Sequence, residues 1–294
     1  MVASDLTYYL GNKNLKRKDI KLDYTKEQIE EYIKCSRDVD YFCSKYVKIV
    51  SVDRGLIPFN PFDYQKRMFK QFDDARFTIC KMPRQVGKTT GVVGYLLHKV
   101  LFNENYNIAV LANKQVQARE ILSRVQLAYE WLPQWLQQGV VEWNKGNIEL
   151  ENGSKILASA TSSSAIRGQS YNLIYLDEFA FVPRNIQDTF FASVFPTITS
   201  GKSSKLIITS TPNGMNLFYK IWMDSVNGNN DYARVDVHWS DVPGRDEEWK
   251  ELMIRSTSAD QFRQEFDCLT GDTKVNILFK NNTTKKVTIE QIYK

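Results

Sequence analysis

An α/β fold, a mostly parallel sheet with flanking helices, is predicted for this sequence of 294 residues by three observations. Short apolar runs alternate with longer helical patterns through its middle. One run, Phe77–Lys81, leads through a Gly87-Lys88-Thr89 turn into an amphipathic helix. Another, Leu173–Leu176, ends in two carboxylates. The 43% hydrophobic content suffices for one large core, or one core with a smaller satellite.

The elements follow in order. The chain is polar and lysine-rich through Asp23, after which Thr25 and Gln28 form a capping box for a helix over 26–34. A second helical pattern covers 39–47. In Gly55 to Phe62 two prolines argue against regular structure and deliver the chain to a helix over 64–72. Strands are expected at 77–81, 108–112, 173–176 and 206–210, with helices over 88–101, 116–132 and 186–194 between them. An antiparallel insert interrupts this pattern with strands over 140–143, 148–151 and 155–160 and turns at Asn144-Lys145-Gly146 and Asn152-Gly153. Beyond Pro212 a helix over 217–224, an Asn/Gly loop, a strand over 233–239 and two short helices ending near Phe266 make a small lid. The expected division is residues 1–60, a helical region packing with the lid; 61–212, the core; 213–267, the lid or linker; and 268–294, a distinct tail.

Composition narrows the function classes. A net charge of +5, from 39 basic and 34 acidic residues, tolerates a polyanionic partner without identifying one. The four cysteines, Cys35, Cys43, Cys80 and Cys268, form no CxxC pair and the two histidines lie far apart, which argues against a disulfide scaffold or a zinc site. Neither a signal peptide nor a stretch of roughly 20 apolar residues is present, so a reducing cytoplasm is expected and a membrane is not.

The chemistry is concentrated in three segments. Met82-Pro83-Arg84-Gln85-Val86-Gly87-Lys88-Thr89-Thr90, between a strand and a helix, suits a phosphate-binding loop. Its N–H groups, with the helix N-terminus, would hold phosphates, Lys88 would neutralise the β and γ groups of ATP, and the Thr89 hydroxyl would ligate Mg²⁺. Met82 stands where GxxxxGK(S/T) has its first glycine. Asp177 and Glu178, 89 and 90 residues after Lys88, suit a magnesium partner and a base that polarises the attacking water. Thr209-Ser210-Thr211-Pro212 follows an apolar run, where NTPases of the additional-strand class place a γ-phosphate sensor.

Together with Asp63-Tyr64-Gln65, these segments resemble the ATPase region of tailed-phage terminase large subunits in order and spacing, from about Val39 to Asp267. The likeness includes a replaced first glycine and an arginine four residues before the lysine. It implies a P-loop NTPase of the additional-strand, RecA/helicase-like type that uses ATP and Mg²⁺ to move double-stranded DNA into a procapsid. It implies further that Tyr64 and Gln65 contact adenine, Arg84 acts as an arginine finger in cis, and Thr209, Ser210 and Thr211 couple hydrolysis to movement. Gln85, Gly87 and Thr90 would complete the nucleotide site. Arg167 matches another family segment, with DNA, a neighbouring subunit and nucleotide all open as its partner. A portal protein, a small terminase subunit and a homo-oligomeric ring are the implied partners, in the host cytoplasm.

After Asp267 the sequence Cys268-Leu269-Thr270-Gly271-Asp272-Thr273 resembles the first block of an intein. Cys268 would attack the preceding carbonyl to form a thioester. Five lysines against Asp272 and Glu290 make this stretch basic, as in naturally split inteins with short N-terminal pieces. The expectation is a trans-splicing tail whose partner is a complementary intein polypeptide carrying the nuclease half, the sequence being too short to hold that nuclease. The alternatives are a helicase-like DNA-dependent ATPase, a splicing precursor inactive as a motor until ligated, and a nucleotide-binding regulator without hydrolysis.

Overall fold

The structure, a computed structural model, describes residues 7–162, 166, 168–199, 201–267, 274–278 and 284–288. In chain order the elements are β1 (Tyr8–Tyr9), β2 (Asn12–Lys16), α1 (Lys26–Arg37), α2 (Val39–Tyr46), β3 (Lys48–Ser51), β4 (Gly55–Pro58), α3 (Asp63–Asp74), β5 (Phe77–Lys81), α4 (Lys88–Phe102), β6 (Asn107–Ala112), α5 (Gln115–Glu130), β7 (Val140–Trp143), β8 (Asn147–Leu150), β9 (Lys155–Ala160), β10 (Leu173–Asp177), α6 (Arg184–Thr199), β11 (Lys205–Ser210), α7 (Leu217–Val226), β12 (Ala233–Asp236), α8 (Glu247–Ser256), α9 (Ala259–Phe262), β13 (Lys274–Leu278) and β14 (Thr284–Thr288).

Eight strands form the main sheet in the order β12-β5-β11-β10-β6-β9-β8-β7. From β12 to β9 every pairing is parallel, and β8 and β7 complete the sheet antiparallel. The period-2 alternation of a strand explains why the central runs are apolar throughout. Leu173 and Tyr175 of β10 enter the core on the side of α3, α4 and α5, while Ile174 and Leu176 enter the core on the side of α6 and α7. Each fully buried Leu or Ile contributes on the order of 1.5–3 kcal/mol, so a sheet covered on both faces is the main source of stability.

The sheet order carries the class assignment. β11 lies between the strand of the phosphate loop, β5, and the strand of the acidic pair, β10. This is the additional strand that the sequence predicts.

The structure departs from the sequence reading at several places. Residues 155–160 pair antiparallel with β8, as the expected insert requires, and also pair parallel with β6, which joins the insert to the main sheet and leaves β8 as its strand antiparallel to the core. Gly55 to Pro58 is a strand after all, in a hairpin with β3, and Pro58 sits at its terminal position, where a missing N–H is tolerated. The strand expected over 233–239 stops at Asp236 and joins the main sheet beside β5 instead of the lid. The N-terminal helices, expected against the lid, pack on α4. Phe42 meets His98 and Phe102 edge-on, and His98 Nε2 donates to the Cys35 carbonyl at 2.9 Å. The polar opening also contains a short hairpin, β1–β2, anchored by Lys16, which is 6% exposed and 3.1 Å from Glu151 Oε1.

Candidate active site

The phosphate loop is held from outside by its carbonyls. Arg245 Nη2 donates to Gln85 O at 2.7 Å, the Tyr64 hydroxyl donates to Val86 O, and Gln65 Nε2 donates to Gly87 O at 2.8 Å. A trans peptide sets each carbonyl opposite the following N–H, so the Val86, Gly87 and Lys88 amides face away from these tethers. Gln85 at φ 58° and Gly87 at φ 74° supply the left-handed turns that make such a run of N–H groups. Lys88 then starts α4, whose N-terminus adds positive partial charge. Met82, in place of the first glycine, is fully buried in the core and donates its N–H to Ser210 O at 3.1 Å, which joins the loop to β11.

The three motif segments meet at the C-terminal ends of the central strands. Lys88 Nζ forms an ion pair with Glu178 Oε1. Glu178 Oε2 accepts from the Thr211 N–H at 3.1 Å and the Ser210 hydroxyl at 3.3 Å. Its backbone is left-handed, at φ 48°, which ends β10 abruptly and turns the side chain to the loop. Asp177 Oδ1 accepts from the Tyr175 hydroxyl at 2.7 Å and the Thr209 hydroxyl at 3.1 Å. Burial raises the Asp177 pKa above the usual carboxylate range, while Lys88 and the two hydroxyls pull it back.

A cleft of about 540 Å³ opens above these groups. Of the residues singled out in the sequence, Arg84, Gln85, Gly87, Lys88, Thr89, Thr90 and Glu178 line it. Tyr64 and Gln65, each 1% exposed, lie beneath the loop as its tethers and outside the cleft lining. Thr209, Ser210 and Thr211 are buried behind the acidic pair. Arg84 leans away along the rim: its Nε is 2.7 Å from Glu265 Oε2, and its backbone N–H donates to Glu265 O at 3.1 Å. Arg167 and Cys268 lie outside the described residues.

The sequence reading missed Asn113, Lys114, Gln117 and Arg124, which form the far wall, and Tyr175, Arg245 and Glu265. A signal existed for the first two, since they directly follow β6 and ligands of parallel sheets gather at the C-terminal strand ends. Tyr175 was legible as a hydroxyl inside an apolar run, two residues before Asp177. Arg245 and Glu265 had no local signal.

Among the described residues no group of three or more His, Cys, Asp and Glu could hold a metal by itself. Thr89 lines the cleft and Asp177, 8% exposed, lies outside its lining, a sparse donor set that suits Mg²⁺ shared with substrate phosphates and waters better than a protein-only cage.

The model of the N-terminal region of T4-like-virus-type terminase large subunits matches residues 79–285. The tripartite terminase subunit 3 of equine herpesvirus 2 is 25% identical over 133 residues, which cover 43% of this chain and 19% of the relative. The chain thus spans about a fifth of the length of the curated relatives it matches. The large terminase of bacteriophage HK97 superposes with a TM-score of 0.67 at 19% identity, over 82% of this chain and 56% of that one. The large terminase ATPase domain of Thermus phage P74-26 gives 0.60 at 18% identity, over 71% and 94%. At these identities the structural likeness is one of fold.

Proposed function

Because the chain belongs to the family of T4-like-virus-type terminase large subunits, represented by their N-terminal region, we propose that its cleft hydrolyses ATP to drive double-stranded DNA into a procapsid. The observation that carries this reading is the meeting of Lys88 with Glu178, ninety positions apart in sequence, at the edge where β5, β11 and β10 end together. The loop amides and Lys88 bind the phosphates. Glu178, gripped by Thr211 N–H and Ser210, orients the attacking water and accepts its proton. Asp177 and Thr89 would hold Mg²⁺, which would neutralise phosphate charge. Ser210 meets both the base and Met82 of the loop, Thr211 meets the base and Thr209 meets Asp177, which makes the three the coupling element. Tyr64 and Gln65 act on the loop in this reading, and any adenine contact is made from that position. Arg84 supplies a cation to the γ-phosphate after parting from Glu265. Partners at this scale are a portal protein, a small terminase subunit and further copies in a ring.

The deciding experiment is an ATPase assay of wild type, Lys88→Ala and Glu178→Ala, with and without duplex DNA. Both variants should lose about 10²-fold or more. Equal rates in all three would sink the reading, and DNA-stimulated strand separation would move it to a helicase.

A finer part of the reading concerns the tail. We infer from Cys268 to Thr273 a split-intein start, with its complementary half on another polypeptide. Sequence alone supports it, and the family match, which runs past Cys268 to residue 285, counts against the expected end of the family likeness at Asp267. A ligated product on mixing with that half, abolished by Cys268→Ala, is the expected outcome.

A further inference from the structure

Of the three side chains that tether the phosphate loop, two come from α3 and one from far along the chain. Arg245 ends the turn Val242-Pro243-Gly244-Arg245, closed by its N–H donating to Val242 O at 3.1 Å, with Gly244 at φ 82° as such a turn requires. Asp246 immediately caps α8 by accepting the Trp249 N–H at 2.9 Å. The guanidinium carbon then lies 4.5 Å from the Trp249 ring centre and 5.8 Å from that of Phe266. Backbone turn, helix cap and aromatic cage therefore place this cation before it meets the loop. Its Nη1 is buried without a hydrogen-bond partner and burial lowers the guanidinium pKa, while the bond from Nη2 to Gln85 O lies at the exposed rim of the loop.

Gln85 is the loop residue for which that bond matters most. A side-chain-bearing residue at φ 58° is disfavoured by about 1–2 kcal/mol and needs its surroundings to hold it. Its carbonyl is the first of the three turned outward, and the amide opposite it is that of Val86.

We propose that Arg245 is a positioning residue of the phosphate loop: it holds the Gln85 carbonyl outward, keeps the Val86 N–H aimed into the cleft for a phosphate oxygen, and so makes nucleotide affinity depend on how the 239–267 segment sits. This rests on the reading of the cleft as an ATP site. Arg245 touches no reacting atom in this scheme, so its effect falls on binding.

The test is steady-state kinetics with MgATP on wild type, Arg245→Ala, Arg245→Lys and Lys88→Ala, with thermal melts of each. A hydrogen bond from a charged donor sets the scale, so Arg245→Ala should raise KM about tenfold or more and leave kcat within about threefold. Arg245→Lys, which keeps a charged donor, should recover most of the KM. Should the alanine variant melt early, Arg245→Met keeps the stem on Trp249 and removes the donor, and the same KM rise is expected of it. An unchanged KM, or a fall in kcat alone, overturns the proposal while an inactive Lys88→Ala leaves the ATPase reading standing. A fully active Lys88→Ala, or a wild type without ATP turnover, removes that reading and the proposal with it.

Discussion

Glu178 and His98 show how placement alters what a residue type does. Any glutamate after an apolar run is a weak indication of catalysis, because acidic residues also favour helix starts. Here a left-handed backbone, an ion pair on one oxygen and two donors on the other make it a fixed group. The carboxylate was legible in the sequence, whereas its grip by Ser210 and Thr211 depends on β11 lying beside β10. His98 carries no motif, yet its chemistry is shifted as strongly. Burial, with a smaller contribution from nearby Lys99, lowers its pKa from 6.5 to about 4. The folded imidazole stays neutral while the unfolded chain takes up a proton below pH 6.5, so this contribution to stability is complete above that pH and is lost as pH falls towards 4. Between pH 7 and pH 5 this residue should cost the fold about 2 kcal/mol in urea titrations. His98→Gln should flatten that pH dependence, and an unaltered slope would show that another group titrates.

At the scale of elements, α4 shows which sequence signals are strong. Its start was legible from the loop and its length from apolar periodicity, and Lys88–Phe102 extends the expected helix by one residue. What it packs against was not legible. Gly94 faces α2, and a Cβ there would lie 2.7 Å from Cys43 Sγ and 3.3 Å from the Phe59 ring. Alanine gains about 1 kcal/mol in helix propensity over glycine, while overpacking costs about 1–3 kcal/mol. Gly94→Ala should therefore destabilise by about 1 kcal/mol, and adding Cys43→Ala should restore much of the loss; two simply additive losses would contradict this packing. The same limit explains why the antiparallel insert was legible but its junction with the main sheet was not. Alternation marks residues 155–160 as a strand, but the direction of its neighbour is set by β6, some fifty residues earlier.

Over the whole molecule, the 239–267 segment is tied to the phosphate loop by Arg245 to Gln85 and Glu265 to Arg84, and it is held together by Trp239, Trp249, Phe262 and Phe266. Trp249→Ala should loosen both at once. Hydrogen exchange in peptides covering residues 83–90 and 259–267 should rise by about tenfold or more, with α5 unchanged. A rise in the second peptide alone would mean that this segment and the loop open separately. By itself the sequence determined the central strands, the main helices and the three motif segments, because periodicity, caps and a glycine turn act within a few residues of one another. It marked Lys88, Asp177 and Glu178 as candidates for the same reason. Only the tertiary structure decided that Tyr64 and Gln65 grip the loop from beneath, that Arg84 meets Glu265, and that Arg245 completes the tether. Those contacts span 22 to 181 positions, and which distant groups meet is set by sheet order and by the shared core, which no local pattern encodes.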